Sequence, residues 1–266
     1  MTSEFAIRSR DLTPNQVDNS HREMSRPRAS PWPGAPTHHE KVLLELFGAF
    51  PKGSLLDAPC GKGQMSIWLR EMGYDVHCFD IDPDLFQGES FPFQEGDLNG
   101  SLPYEDSRFD TILCKRGVQR ISGLDGMLSE FRRVLKPGGT LVVSAPNYAR
   151  IQRRLRFLVF GSVSKNINSQ ECRGWVESST ANFRNFLLYP QLEKTLQRQG
   201  LRIERVFSDG RPYAEFHLLP FVLLAKFSSL FASENKKSGY SLRGANSAHA
   251  LAGGRHLIFV CKRMRA

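Results

Sequence analysis

SLLDAPCGKGQMSIWLREMGYDVHCFDIDPD, residues 54–84, decides how this chain folds. A short apolar run (Leu55, Leu56) meets Asp57, and a turn carrying Gly61 and Gly63 follows. Apolar residues then recur at helical spacing (Met65, Ile67, Trp68, Leu69, Met72) until Gly73 stops them. A second apolar run, Val76 to Phe79, ends in Asp80. The order strand, glycine turn, helix, strand, acid is the first half of a nucleotide-binding βαβ unit. Glycines let backbone approach a ligand closely, and an acid at the second strand's tip can accept hydrogen bonds from both ribose hydroxyls.

The details select among ligands. A dinucleotide fingerprint ends in Gly or Ala, whereas Gly61-Lys62-Gly63-Gln64-Met65-Ser66 ends in Ser. Asp57 closes the first strand, where a pyrophosphate would meet a negative charge. A carboxylate there suits a cationic ligand, such as an ammonium group near a sulfonium. The segment resembles motif I of class I S-adenosylmethionine (SAM) methyltransferases, acid-x-G-x-G-x-G. Here it reads Asp57-Ala58-Pro59-Cys60-Gly61-Lys62-Gly63, with Pro59 in place of the first glycine.

Later segments extend the resemblance in order. Glu95-Gly96-Asp97-Leu98 is similar to the family's third-strand tip. Leu102-Pro103-Tyr104 followed by Arg108-Phe109-Asp110-Thr111-Ile112-Leu113-Cys114 is similar to its fourth strand. Glu130 to Gly139 is similar to the helix and turn before strand five. The likeness covers residues 40–148 well and the remainder more loosely. It implies an α/β, Rossmann-like fold: a seven-stranded, mostly parallel sheet in the order 3-2-1-4-5-7-6 with helices on both faces. It also implies SAM as cofactor. Asp57, Gly61 and Gly63 would bind its methionine end, Asp80 the ribose, and Asp97 and the Leu98 backbone the adenine, with Pro59, Ile81 and Cys114 also in the cofactor site.

Composition frames the rest. The 266 residues fit one large domain or a domain with an appendage. Residues 1–37 hold five prolines and few large apolar residues and are expected to be a disordered tail, leaving 38–266 as the folded domain. The five cysteines show neither metal nor disulfide spacing. With no signal peptide and no spanning segment in view, the expectation is a cytoplasmic protein without a metal site.

Charge is unevenly placed. Lys and Arg number 5 against 5 acids in residues 1–40, 11 against 15 in 41–149, and 20 against 7 in 150–266. The back half thus carries +13 and points to an anionic partner. Residues 151–161, IQRRLRFLVFG, read as a basic amphipathic helix. Phe216–Phe231 is a 16-residue apolar segment broken by Pro220 and Lys226, too short to span a bilayer. It suits a substrate cap, a membrane interface, a dimer face or plain packing. Residues 233–254 read as a loose loop, and about 150–255 as a basic, apolar insertion facing substrate or membrane.

This layout resembles methyltransferases of bacterial cell-surface polysaccharide and lipid-linked glycan pathways, and less closely the quinone O-methyltransferases. Those relatives place Glu-His after strand four, where this chain has Val118-Gln119-Arg120-Ile121. Lys115, Arg116 and Arg120 are the candidate acceptor-binding residues. Arg120 and His217 are the candidate catalytic residues, and His38 and His39 are expected at the pocket entrance.

The expected function is methyl transfer to a small-molecule, glycan or lipid-linked acceptor of anionic character, in cell-envelope (lipopolysaccharide) biosynthesis, with peripheral contact at the inner membrane. One alternative is an RNA or protein methyltransferase, although Cys114-Lys115-Arg116-Gly117 lacks the Asn-Pro-Pro-Tyr type tetrad. Another is a non-catalytic SAM-binding scaffold at a membrane complex.

Overall fold

A computed structural model describes residues 34–88, 90–162, 186–211 and 216–265. Most of the expected tail, and Cys172, lie outside them. The elements below all belong to the compact unit 36–266.

Helix α1 (His38–Gly48) opens the domain with a capping box. The Thr37 hydroxyl accepts from the Glu40 N–H, while Glu40 accepts from the Thr37 N–H at 2.9 Å. Two otherwise orphaned donors are satisfied reciprocally. Then follow β1 (Ser54–Asp57), α2 (Gln64–Glu71), β2 (Asp75–Asp80), β3 (Phe93–Glu95), β4 (Phe109–Lys115), α3 (Leu124–Val134) and β5 (Leu135–Pro146). The sequence expectation was a turn at Leu135–Gly139. The structure takes these residues into β5 through a register shift opposite Phe109 and Thr111.

The remaining elements are α4 (Ile151–Phe160), α5 (Tyr189–Arg198), β6 (Leu201–Ser208), α6 (Leu219–Leu230), α7 (Glu234–Gly239), α8 (Leu242–Ala245), α9 (Ala248–Ala252) and β7 (His256–Arg263). Strand order is β3-β2-β1-β4-β5-β7-β6, with β7 antiparallel to both neighbours. This is the order expected from the sequence.

Strand alternation sorts the core onto two faces. Leu55, Leu113, Val142 and Ile258 meet Leu43 and Phe47 of α1 and Met65 and Leu69 of α2. Leu56, Ile112, Leu141, Val143 and Phe259 meet Leu128 and Phe131 of α3 and Leu192 and Leu196 of α5. Both faces are covered, so the strands read as nearly continuous apolar runs.

The back half departs from expectation in two places. Residues 233–254 contain three short helices rather than a loop. Ser233 and Ser247 cap α7 and α9 with their side chains, and Ala250 and Leu251 are buried. In α4, only Ile151 is buried, and Leu155 packs beside it with Val222 of α6 and Leu251 of α9. Leu158 and Val159 are 80% and 70% exposed. Arg154 is a clamp rather than a solvated charge. It donates to the carbonyls of Ala149 (2.7 Å) and Ala245 (2.7 Å) and to Asn246 Oδ1 (2.8 Å).

Candidate active site at the carboxyl edge of the sheet

In an open α/β sheet, ligands bind outside the carboxyl ends of the parallel strands. The motif residues converge there. Gly61 and Gly63 adopt φ of +55° and +84°, a region that favours glycine. A side chain on Gly63 would also strike Phe86, which packs beneath the turn. Pro59 enters the turn through a cis Ala58–Pro59 peptide. Its ring lies against Gly117, where a Cβ would run into it. Gly117 thus joins the loop after β1 to the loop after β4, a pairing the sequence motif does not announce.

Asp80 is buried and ties the cradle together. Its Oδ2 accepts from the Gly61 N–H at 2.6 Å, and its Oδ1 from the Ile81 N–H at 2.8 Å. Ile81 itself is 46% exposed, an apolar surface beside the acid. Across β3, Asp97 Oδ1 accepts from the Asn99 N–H and side-chain amide, each at 2.9 Å. Asn99 Oδ1 in turn accepts from Ser122, fastening this edge to the loop before α3. Leu98 and Cys114 turn their side chains into the core, so only their backbone is offered to a ligand.

Asp57 is the most telling group. It is buried, and Ser66 donates to its Oδ2 at 2.7 Å, while Oδ1 has no hydrogen-bond partner. Burial pushes its pKa up to about 7; Asp80 adds to the rise, while Ser66 and Lys115 oppose it. A buried carboxylate with an orphaned oxygen beside a glycine turn fits a ligand that brings a positive, hydrogen-bonding group. The amino group of SAM is such a group. The donor set therefore fits SAM.

The acceptor side differs from the sequence reading. Lys115 does not present an unpaired charge: it donates to Glu40 Oε1 at 2.6 Å. Burial works against the Glu40 carboxylate, but Lys115 and Thr37 outweigh it and hold its pKa below the ordinary range. The capping glutamate of α1 thus also anchors that helix to the tip of β4. Arg116, at φ +57°, and Arg120, on a short turn after β4, are exposed. His217 is exposed on the turn leading into α6. The described contacts do not bring His217 to the cradle.

Of the two histidines expected at the entrance, His39 is buried and His38 exposed. His39 Nε2 lies 3.2 Å from Ser144 Oγ on β5. Its ring lies tilted against that of His256, centroids 4.6 Å apart, and its Nδ1 lies 3.6 Å from Asp209 Oδ2. Burial, then the neighbouring His256, lowers the His39 pKa to about 4, so it is neutral at pH 7. His39, Asp209 and His256 form a cluster drawn from α1, the end of β6 and the start of β7. Sequence spacing concealed it. The signal available was topological: an antiparallel β6–β7 pair must set the residue after β6 beside the first residue of β7.

Fold and cradle together define a class I methyltransferase architecture. Residues 56–143 match the family model described as "Methyltransferase domain". Among curated proteins, a demethylmenaquinone methyltransferase of Tropheryma whipplei (strain Twist) is 31% identical over 119 residues, 42% of this chain and 50% of that protein. A malonyl-[acyl-carrier protein] O-methyltransferase of Pseudescherichia vulneris is 34% identical over 105 residues, 38% of this chain and 41% of that protein. The chain thus spans half or less of these relatives' length. Among solved structures, a SAM-dependent methyltransferase from Archaeoglobus fulgidus superposes with a TM-score of 0.52 at 16% identity, covering 86% of this chain and 95% of that one. A geranyl diphosphate methyltransferase solved with SAM gives 0.51 at 15% identity, covering 85% and 84%. Residues 56–143 thus match a methyltransferase domain, the fold around them is that of the class I SAM-dependent enzymes, and SAM is the cofactor these findings support.

Proposed function

We propose that the protein transfers a methyl group from SAM to a small-molecule, glycan or lipid-linked acceptor. The observation that carries this reading is the orphaned, buried Asp57 Oδ1 at the strand end that leads into the Gly61–Gly63 turn, the turn that Asp80 holds through the Gly61 N–H. SAM supplies an already activated methyl group, so the protein's task is to position the acceptor and exclude water. Asp57, Pro59, Gly61 and Gly63 hold the methionine end, Asp80 and Ile81 the ribose and adenine face, and Asp97 and Leu98 the adenine edge. Exposed Arg116 and Arg120 receive an anionic group of the acceptor, while Lys115 serves chiefly to fix α1.

The acceptor is expected at an anionic membrane surface, in keeping with an envelope glycan or lipid. Support comes from the segment of about 150–255. Phe157 and Phe160 of α4, and Leu224, Phe227 and Leu230 of α6, are large, apolar and exposed. Arg150, Arg153, Arg156 and Lys226 accompany them in sequence. Large apolar side chains among cations suit a lipid interface better than an RNA backbone. No helix among the described residues is long and apolar enough to cross a membrane.

Isothermal titration with SAM and S-adenosylhomocysteine tests the cofactor reading. Micromolar binding that Asp80→Ala abolishes is the expected result; binding that survives the change would remove Asp80 from the site. Incubation with methyl-labelled SAM and separate envelope lipid, glycan and RNA fractions then tests the acceptor class. Label in RNA alone would overturn it.

A further inference from the structure

The methyl-transfer reading leaves one well-made arrangement unused. Asp209 lies one residue past β6 and His256 opens β7, and the register Ser208↔Leu257 sets them side by side. Asp209 Oδ1 accepts the His256 backbone N–H at 2.9 Å. Its Oδ2 stands 2.6 Å from His256 Nδ1. A carboxylate at that distance holds the proton on Nδ1, because an ionised carboxylate can only accept. Asp209 is ionised: burial opposes this, but the His256 hydrogen bonds outweigh it and hold its pKa below the ordinary range. In the neutral imidazole with its proton on Nδ1, the lone pair lies on Nε2. No hydrogen bond engages Nε2 among the described residues, and the side chain keeps 23% of its surface exposed.

The imidazole also lies in the right row. Side chains of one parity face α1 and α2: Asp57 follows Leu55, Lys115 follows Leu113, Ser144 follows Val142, and His256 precedes Ile258. Lys115 pairs with Ser144, and His256 with Pro146 on the same strand. Strands are spaced about 4.8 Å apart, so one polar edge runs from the cofactor cradle across β4 and β5 to His256. His39 roofs that edge through Ser144 and the His256 ring.

We infer that His256 is the general base that removes the proton from a hydroxyl on the acceptor, with Asp209 as its positioning residue. This rests on the methyl-transfer reading above. The proton passes from the acceptor oxygen to His256 Nε2 as that oxygen's electron pair forms the bond to the methyl carbon. The carbon–sulfur bond breaks with its electrons going to sulfur, and S-adenosylhomocysteine leaves. Asp209 faces the Nδ1–H of the resulting imidazolium, which then returns its proton to water. A hydroxyl acceptor needs such a base, and the turn directly after β4, Arg116 to Ile121, holds no histidine to supply it.

The test has two arms on the full chain. Nitrogen-15 NMR of histidine-labelled protein is expected to show His256 as the Nδ1–H tautomer, and Asp209→Asn to disturb it. An Nε2–H tautomer in the unaltered protein would overturn the inference, as would a stoichiometric zinc ion retained by His256 and Asp209. In the second arm, methyl-labelled SAM is supplied with envelope lipid extract. His256→Ala is expected to lower transfer by about 10²–10⁴-fold, with partial rescue by added imidazole and unchanged SAM affinity by titration. Transfer that survives His256→Ala while SAM still binds would sink the base alone. Failure of the unaltered protein to bind SAM would instead strike the underlying methyltransferase reading, and the tautomer measurement stands apart from both.

Discussion

Asp57→Asn tests the cofactor cradle through stability as well as binding. The Asp57 pKa rises from its ordinary 3.8 to about 7 because the carboxyl is buried. A raised acid pKa means the folded state holds a proton that the unfolded chain has lost. The associated stability is complete below about pH 3.8 and declines as pH rises to about 7, beyond which the slope vanishes. A rise of about three units corresponds to on the order of 4 kcal/mol. Asparagine cannot ionise and can still accept the Ser66 hydroxyl bond, so Asp57→Asn is expected to be more stable than the parent at pH 8 and similar at pH 4. Urea unfolding at the two pH values measures this. Binding should move the other way: the SAM ammonium satisfies Oδ1 and favours the ionised carboxylate. Titration near pH 6.5 in buffers of different ionisation enthalpy should therefore show proton release on binding in the parent and none from this site in the variant. A parent whose stability does not fall between pH 4 and 8 relative to Asp57→Asn, and which binds SAM without proton release, would refute the reasoning.

Gly117→Ala places a methyl group against the Pro59 ring and Cys114 Sγ at a backbone φ of −77°, so the clash is steric rather than conformational. It should destabilise by about 1–3 kcal/mol and weaken SAM binding, read by thermal unfolding with and without SAM. His39, with its pKa lowered to about 4 from 6.5, stays neutral in the fold while the unfolded chain protonates. Acidification from pH 7 to 4 should therefore cost about 3 kcal/mol that His39→Gln does not lose; parallel denaturant curves at both pH values check it. Replacing Leu224, Phe227 and Leu230 together by serine should cut binding to anionic vesicles about tenfold or more, about 1.4 kcal/mol being a factor of ten, measured by flotation, while leaving SAM affinity intact.

The sequence exposed what is local. Asp57, the glycine turn and Asp80 lie within one βαβ half-unit, so their spacing alone announces a cradle, and the nearly continuous apolar runs of β4 and β5 announce a sheet covered on both faces. Strand order came with the family resemblance, because nothing in the spacing of β6 and β7 tells which slots beside β5. The fate of individual charges was hidden for a different reason. Lys115 reads as an acceptor ligand until α1 is folded back and Glu40, already committed to Thr37, takes the ammonium. Arg154 reads as a surface charge until two carbonyls and Asn246 are seen to claim it.

His39, Asp209 and His256 share no spacing at all, being drawn from both ends of the chain, and only closure of the antiparallel β6–β7 edge under α1 assembles them. The same closure explains why a search for a histidine after β4 finds none here. The short turn at Val118–Arg120 leaves that position to an exposed arginine, and the polar edge continues past β5 to the one strand that runs backwards. An antiparallel strand brings its first residue, rather than its last, to the carboxyl edge. His256 opens β7 and can therefore serve a site that motifs on parallel strands reach only with their final residues.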